Sequence, residues 1–161
     1  MNLNEVPKKN FFYFNDEAIK NAANDNKIDI VYGLLLKKDK ICDKFFYECD
    51  ELDLISIPDS IKSIGNNAFY GCNSMVEITL PLLLNKIENS TFSFCTDLKE
   101  ISIPSFVTSI EKEAFFACNS LTQITLPISL IHIGQYSFYR CTSLKQIIIP
   151  SSVKSIGNNA F

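Results

Sequence analysis

Three residue types recur in phase every 23 residues along most of this chain of 161 residues. The proline series runs through Pro58, Pro81, Pro104, Pro127 and Pro150. The cysteine series runs through Cys49, Cys72, Cys95, Cys118 and Cys141. The phenylalanine series runs through Phe46, Phe69, Phe92, Phe115, Phe138 and Phe161. Chance does not align three series in this way, so the pattern predicts a repeat protein built of stacked units.

Each unit predicts one short strand followed by a second apolar segment. The units begin at Leu52, Met75, Leu98, Leu121 and Leu144. In the third unit the strand covers residues 100–103, with Ile101 and Ile103 facing inward. The proline that follows ends the strand, because proline has no N–H for a further ladder bond. Ile110 and Phe115 form the second apolar pair, which we expect on the opposite wall of the coil.

These features predict an α/β repeat solenoid, a right-handed coil with one parallel β-sheet face. Equivalent strands of successive coils would lie ~4.8 Å apart, as in any sheet. Each coil then contacts only its neighbours, so no single unit buries its own apolar side.

The first complete unit carries an Ile-Pro step, an I-G-x-x-A-F half and a cysteine, all of which recur in later units. Its matching residues are Ile57, Pro58, Ser60, Ile61, Ser63, Ile64, Gly65, Ala68, Phe69 and Cys72. This pattern resembles the BspA-like class of leucine-rich repeats over residues 52–161. The resemblance implies a surface or secreted protein of bacteria or parasitic protists that adheres to host or partner proteins. It implies no catalytic residues and no cofactor.

Two units depart from the repeat pattern. The second has a run of three leucines, residues 82–84, where Ser-Val is expected, and carries Glu88 and Thr91 in place of Gly and Ala. The third has Phe106 in place of Ser and Glu111 in place of Gly. We expect these to be surface changes that add exposed apolar area along one edge.

The N-terminal region predicts a helix–turn–helix. Apolar residues between positions 17 and 38 have helical spacing, and residues 24–26 interrupt the run. The stretch resembles part of an ankyrin repeat, in which Asn26 stands where ankyrins use Gly and accepts a left-handed conformation. We interpret residues 1–40 as a helical, ankyrin-like cap and residues 41–161 as the solenoid, which starts with a degenerate half repeat and ends with an incomplete unit.

The two ends of the chain carry further expectations. Residues 1–9 lack the pattern of a signal peptide, and no apolar run approaches the ~20 residues that span a bilayer. The last unit stops at Phe161, which predicts a truncated fragment or self-association through an uncapped end with an open strand edge at residues 147–149.

The five cysteines of the repeat predict a ladder of buried thiols. They point the same way in successive coils and only Cys42 lies off the ladder, so neither a disulfide framework nor a convergent zinc site is expected. Free thiols suit a reducing compartment, and burial would reconcile them with a surface protein.

Composition and motifs exclude several functions. The net charge of −3 without a basic stripe argues against nucleic acid and anionic membrane surfaces as partners. His132 is the single histidine, expected to be exposed on a short second strand, and no nucleophile partner is evident for it. Nothing predicts an enzyme. Asn89 opens a glycosylation triplet whose use would require secretion.

The outward rows of the main sheet are the predicted protein-binding site. Its residues are Ser56, Glu77, Thr79, Lys99, Glu100, Ser102, Gln123, Thr125, Lys145 and Gln146. Solenoids commonly bind partners through such a surface. An alternative is an apolar edge patch of Leu82, Leu83, Phe106, Ile128 and Ile131, since clustered apolar surface can mark an interface.

Two functional hypotheses follow. The first is a non-enzymatic protein-interaction module of a surface antigen or adhesin, which binds an unidentified protein at the cell surface. The second is an intracellular leucine-rich-repeat and ankyrin scaffold in the cytoplasm, favoured by the free thiols.

Overall fold

The structure is a computed structural model that describes residues 18–161, and it is a solenoid of parallel strands. Each complete coil contributes a three-residue strand to one sheet, which we call the front sheet. Its strands are β2 (Leu54–Ser56), β4 (Glu77–Thr79), β6 (Glu100–Ser102) and β8 (Gln123–Thr125). The predicted repeat solenoid with a parallel sheet is therefore confirmed.

A second wall of two-residue strands stands opposite the front sheet, where the second apolar segment and the short second strand were expected. One group pairs β1 (Lys40–Ile41) with β3 (Ser63–Ile64). The other contains β5 (Lys86–Ile87), β7 (Ser109–Ile110), β9 (His132–Ile133) and β10 (Ser155–Ile156). All pairs are parallel and shifted by one repeat, and we call both groups together the back wall.

The core lies between the two walls and is filled by one phenylalanine per coil. Ile101 and Ile103 are buried, as the alternation predicted, and so are Ile110 and Phe115 of the second apolar pair. The Phe115 ring stacks on the rings before and after it, with each pair of centroids 5.3 Å apart. Aromatic stacking of this kind adds to the free energy of burial, so the ladder ties every coil to its neighbours.

The repeat cysteines form the predicted ladder of buried, free thiols. The thiol of Cys95 donates to the carbonyl oxygen of Phe69 with an Sγ–O distance of 3.1 Å. Equivalent bonds join Cys72, Cys118 and Cys141 to the phenylalanines 26 residues before them. Each of these cysteines therefore supplies a hydrogen bond to a buried backbone carbonyl of the preceding coil. Cysteine suits this position because its side chain is small and its thiol is a weak donor.

Two short helices cover the N-terminal end of the core, as predicted. Residues 18–24 are helical (α1), and α2 covers Ile28–Leu35. Ala23 and Val31 join the same hydrophobic cluster as the coils, and the Cys49 thiol donates to Asn24 Oδ1 over 2.9 Å. Asn26 between the helices has a φ of 52°, the left-handed conformation expected for it. The division into residues 1–40 and 41–161 stays a prediction, and residues 1–17 lie outside the described part.

Two sequence predictions need correction. Residues 147–149 do not form a strand, so the edge of the front sheet is β8. The chain rejoins the back wall at β10, and self-association through this end stays a prediction. Leu84 and Thr91 are not surface changes, because both are buried, and the Thr91 hydroxyl donates to the carbonyl oxygen of Glu88 over 2.8 Å.

Candidate interaction surface

The front sheet presents two rows of polar side chains in register along the solenoid axis. Glu77 aligns with Glu100, and Glu100 aligns with Gln123. In the neighbouring row, Ser102 aligns with Thr125. The alternation exposes these side chains because the isoleucine between them on each strand faces the core. Nine of the ten predicted site residues are exposed and Ser56 is half-buried.

Two adjoining grooves run over this face, and we call them together the front groove. The first has a volume of about 390 Å³ and is lined by residues that include Glu77, Thr79, Glu100 and Ser102. The second has a volume of about 580 Å³ and is lined by residues that include Lys145, Gln146, Ile128 and Ile148. Gln123 and Thr125 line both, so the surface is continuous. Lys99 and Ser56 lie outside its lining.

The apolar edge patch is exposed, and part of it belongs to the front groove. Ile128 is 88% exposed, Leu82 is 64% exposed and Phe106 is 59% exposed. Leu82 lines the first groove and Ile128 lines the second, whereas Leu83, Phe106 and Ile131 line neither. Two residues of the predicted edge patch therefore lie in the groove that runs over the predicted sheet-face site, and the other three lie outside it.

The back wall differs, because its polar side chains bond to one another across the coils. Lys86 Nζ lies 3.1 Å from Glu111 Oε1, and Ser109 donates to the same carboxylate. Partial burial acts to raise the pKa of Glu111, but the bonds from Ser109 and Lys86, with a contribution from His132, bring that pKa below its usual value. Glu111, a departure from the repeat, is thus an ion-pair partner within the stack.

His132 is half-buried rather than exposed, and it has the hydroxyl neighbour that the sequence analysis did not find. Its Nδ1 lies 2.8 Å from Ser155 Oγ of the next coil. The contact arises because β9 and β10 pair with these two residues in register. Neither residue lines the front groove, so the pair contributes to the back wall and not to the candidate site.

The glycosylation triplet lies in a turn whose side chains are also linked between coils. Asn89 Nδ2 donates to Asn66 Oδ1 over 2.9 Å, and the Asn66 amide in turn donates to Asp43. Asn89 is exposed, while Thr91 of the triplet is buried. The asparagine side chain is therefore part of an inter-coil ladder, and its glycosylation stays a prediction.

A second aromatic ladder was missed by the sequence analysis. Tyr47 and Tyr70 stack with centroids 4.9 Å apart, and the ladder continues through Phe94, Phe116 and Tyr139. The signal was an aromatic residue directly after the core phenylalanine in most units, with a one-residue shift in the unit that contains Phe94. Its rings contact one another and stabilise the coil corners.

Within residues 18–161 no group of histidine, cysteine, aspartate and glutamate side chains is arranged to hold a metal ion. In the same part of the chain, no helix has the length and apolar character needed to cross a bilayer.

Comparison with known proteins identifies similar repeats. A family model described as "BspA type Leucine rich repeat region" matches residues 39–161 in 6 copies. No curated protein matches the chain significantly. A leucine rich cell surface protein from Faecalibacterium prausnitzii is similar at 30% identity and a TM-score of 0.65, over 74% of this chain and 29% of that one.

Two further solved structures are similar over 74% of this chain. A leucine-rich repeat protein from Eubacterium ventriosum has 29% identity and a TM-score of 0.69, and 32% of its length is covered. The T. pallidum leucine rich repeat protein has 30% identity and a TM-score of 0.67, and 62% of its length is covered. This chain thus spans less than two thirds of each of these three relatives.

Proposed function

The chain belongs to the BspA-type leucine-rich repeat family, and from this premise we propose that it is a non-enzymatic module that binds another protein through the front groove. The observation that carries the proposal is the continuity of the groove across the front sheet, with exposed polar rows and apolar side chains along one surface. Leucine-rich repeat solenoids typically mediate protein interactions through surfaces of this kind.

The chemistry of the front groove supports binding rather than catalysis. Its lining contains carboxylates, amides, hydroxyls and exposed isoleucines, and protein–protein interfaces combine polar and apolar groups in this way. Aromatic residues are absent from the described lining, which favours a broad contact over one dominant anchor.

Site-specific crosslinking tests the location of this surface. A photoreactive benzoyl-phenylalanine is placed at Gln123 in the front groove, at Phe106 on the edge patch, or at Ser63 on the back wall, in the full chain. After exposure to extracts that contain candidate partners, we expect a discrete adduct from the Gln123 position and none from Ser63. An adduct from Phe106 alone would move the site to the edge patch, and equal adducts from all three would contradict a dedicated surface.

The finer proposal is a cell-surface, adhesin-like role. It is supported by the similarity to the Faecalibacterium prausnitzii leucine rich cell surface protein. Staining of intact and permeabilised source cells tests it, because an adhesin must be detected on intact cells. Detection only after permeabilisation would favour the second hypothesis, an intracellular scaffold. The exposed free thiol of Cys42 supports that alternative, because such thiols persist in reducing compartments.

A further inference from the structure

The front groove changes character along the solenoid axis, and this asymmetry restricts what can bind. We propose that it accepts an extended segment of a partner protein with a cationic side chain at the Glu77–Glu100 end. A bulky apolar side chain of the same segment would contact Ile128 and Ile148 at the other end. This inference rests on the proposed function, because it specifies the partner of the same surface.

The acidic end of the groove carries two carboxylates in register, and no lysine or arginine of the described residues forms an ion pair with either. Glu77 and Glu100 are directly aligned on adjacent parallel strands, and both are exposed. Among residues 18–161, neither carboxylate has a Lys or Arg nitrogen within 4.0 Å. Like charges in this arrangement repel, and a guanidinium that bridges them would relieve the repulsion and form charge-assisted hydrogen bonds.

The other end of the groove is apolar and carries the opposite charge. Ile128 is 88% exposed and Ile148 is 77% exposed, and both line the second part of the groove. Lys145 also lines this part and would repel a cation placed there. The charges at the two ends therefore favour one direction for the bound segment, with its cation toward Glu77 and Glu100.

The spacing of the two ends along the solenoid axis sets the axial distance that the two side chains must span. The carboxylates belong to the second and third units, and the isoleucines to the fourth and fifth. Two coils correspond to about 10 Å along the axis, given ~4.8 Å per strand. A segment that crosses the strands cannot extend their ladder, so a conformation without backbone hydrogen bonds fits best. Polyproline II has this property and places residues i and i+3 on one face ~9.3 Å apart.

Titration of the full chain with short peptides tests the proposal. The probe is acetyl-PRPPLP-amide, which holds Arg and Leu at the i and i+3 positions. Matched controls are acetyl-PEPPLP-amide and acetyl-PRPPSP-amide. Amide chemical shifts of the labelled protein report both the affinity and the residues contacted. We expect weak binding with shifts confined to the front groove, about tenfold weaker binding of the Glu peptide, and an intermediate loss for the Ser peptide.

Protein variants separate the cation site from general charge attraction. Glu77→Gln with Glu100→Gln should weaken the Arg peptide about tenfold, while Glu51→Gln with Asp97→Asn removes the same charge outside the groove and should leave the affinity unchanged. Glu77→Lys with Glu100→Lys should reverse the preference toward the Glu peptide. Melting temperatures confirm that each variant folds.

Three results would overturn the inference: no binding of the Arg peptide, equal binding of the Arg and Glu peptides, or unchanged affinity after Glu77→Gln with Glu100→Gln. If the crosslinks at Gln123 persist in any of these cases, the groove binds a partner of other chemistry. If those crosslinks are also lost, the proposed function itself fails.

Discussion

The front sheet and the back wall derive from the same repeat, yet they differ in whether their polar side chains bond to one another between coils. On the back wall, Lys86 and Glu111 form an ion pair across the coils and His132 contacts Ser155. On the front sheet, Glu77 and Glu100 stand side by side without such partners in the described part of the chain. Polar groups at the back bond to one another across the coils, whereas Glu77 and Glu100 form no ion pair within the described part of the chain, as the proposed binding role requires.

This difference implies that stability and binding can be changed separately. Substitutions in the core should weaken both walls, because the walls share one hydrophobic cluster. Substitutions on the back wall should lower the free energy of unfolding by smaller amounts. Substitutions of the front carboxylates should leave stability unchanged and alter only recognition.

The largest expected effect comes from the core ladder. Phe115→Ala removes a fully buried ring that stacks on Phe92 and Phe138, and we expect a loss of ~3–5 kcal/mol in the free energy of unfolding. Urea denaturation followed by circular dichroism measures this loss.

Phe161→Ala provides the matched control for the core ladder. The Phe161 side chain is 50% exposed and stacks only on Phe138 among the described rings, so its removal should cost ~1 kcal/mol. Similar losses for Phe115→Ala and Phe161→Ala would contradict the account in which one core supports both walls.

A close backbone contact on the back wall gives the next effect. A Cβ at Gly134 would lie 2.5 Å from the Glu111 carbonyl carbon and 2.6 Å from the Lys112 nitrogen, so the coils must move apart to accept Gly134→Ala. We expect a loss of ~2–3 kcal/mol, measured by the same denaturation.

The control is Gly33→Ala, because a Cβ at this helical position meets nothing within 4 Å. Alanine should stabilise the helix there by ~0.5–1 kcal/mol. An unchanged free energy of unfolding for Gly134→Ala would contradict this account, because it would mean that neighbouring coils can move apart at the back wall without loss of stability.

The sequence allowed prediction of most features that repeat, although the second aromatic ladder was missed, and of few that depend on departures from the repeat. The buried isoleucines, the phenylalanine ladder and the thiol ladder follow from residues that recur every 23 positions, since stacked coils must place them together. His132 and Ser155 hold the same repeat position 23 residues apart, but the bond between their side chains depends on side-chain conformations that no repeated motif signals. The second part of the front groove lies where residues 144–149 leave the ladder beside β8, and no residue pattern signals that departure.

Alkaline pH should weaken the core through its thiols. Burial raises the pKa of the Cys95 thiol well above its usual value, and burial with nearby Asp50 and Glu51 raises the pKa of Cys49 from 9.0 to about 11. The unfolded chain then loses these protons at lower pH than the folded chain. The stabilisation is complete below pH 9 and decreases as the pH rises toward 11.

Melting temperatures from pH 7.5 to 10.5, under reducing conditions, measure this decline. The loss in the free energy of unfolding between neutral pH and pH 10 should be ~1 kcal/mol smaller in Cys95→Ala, because one buried thiol no longer ionises on unfolding. Other groups titrate in this range, but they are common to both proteins and cancel in the difference. An identical decline in the two proteins would contradict the contribution of the thiol ladder.

The smallest effect compares the two walls directly through matched Glu→Gln substitutions. Glu111→Gln at the back removes the ion pair with Lys86 and should cost ~0.5–1 kcal/mol at pH 7. Glu100→Gln at the front removes a like charge beside Glu77 and should leave stability unchanged or raise it by a few tenths of a kcal/mol. Urea midpoints measure both.

The pH dependence of the Glu111→Gln effect distinguishes an ion pair from a packing change. Since the pKa of Glu111 is lowered in the folded chain, its charge contributes stability above the unfolded value of 4.5, and this is lost as the pH falls through the folded pKa. The cost of Glu111→Gln should therefore shrink in acid, whereas a packing loss would persist at every pH. Equal costs for Glu100→Gln and Glu111→Gln at neutral pH would mean that the front carboxylates also stabilise the stack. The proposed difference, in which back-wall carboxylates stabilise the fold and front-sheet carboxylates serve only to bind a partner, would then be wrong.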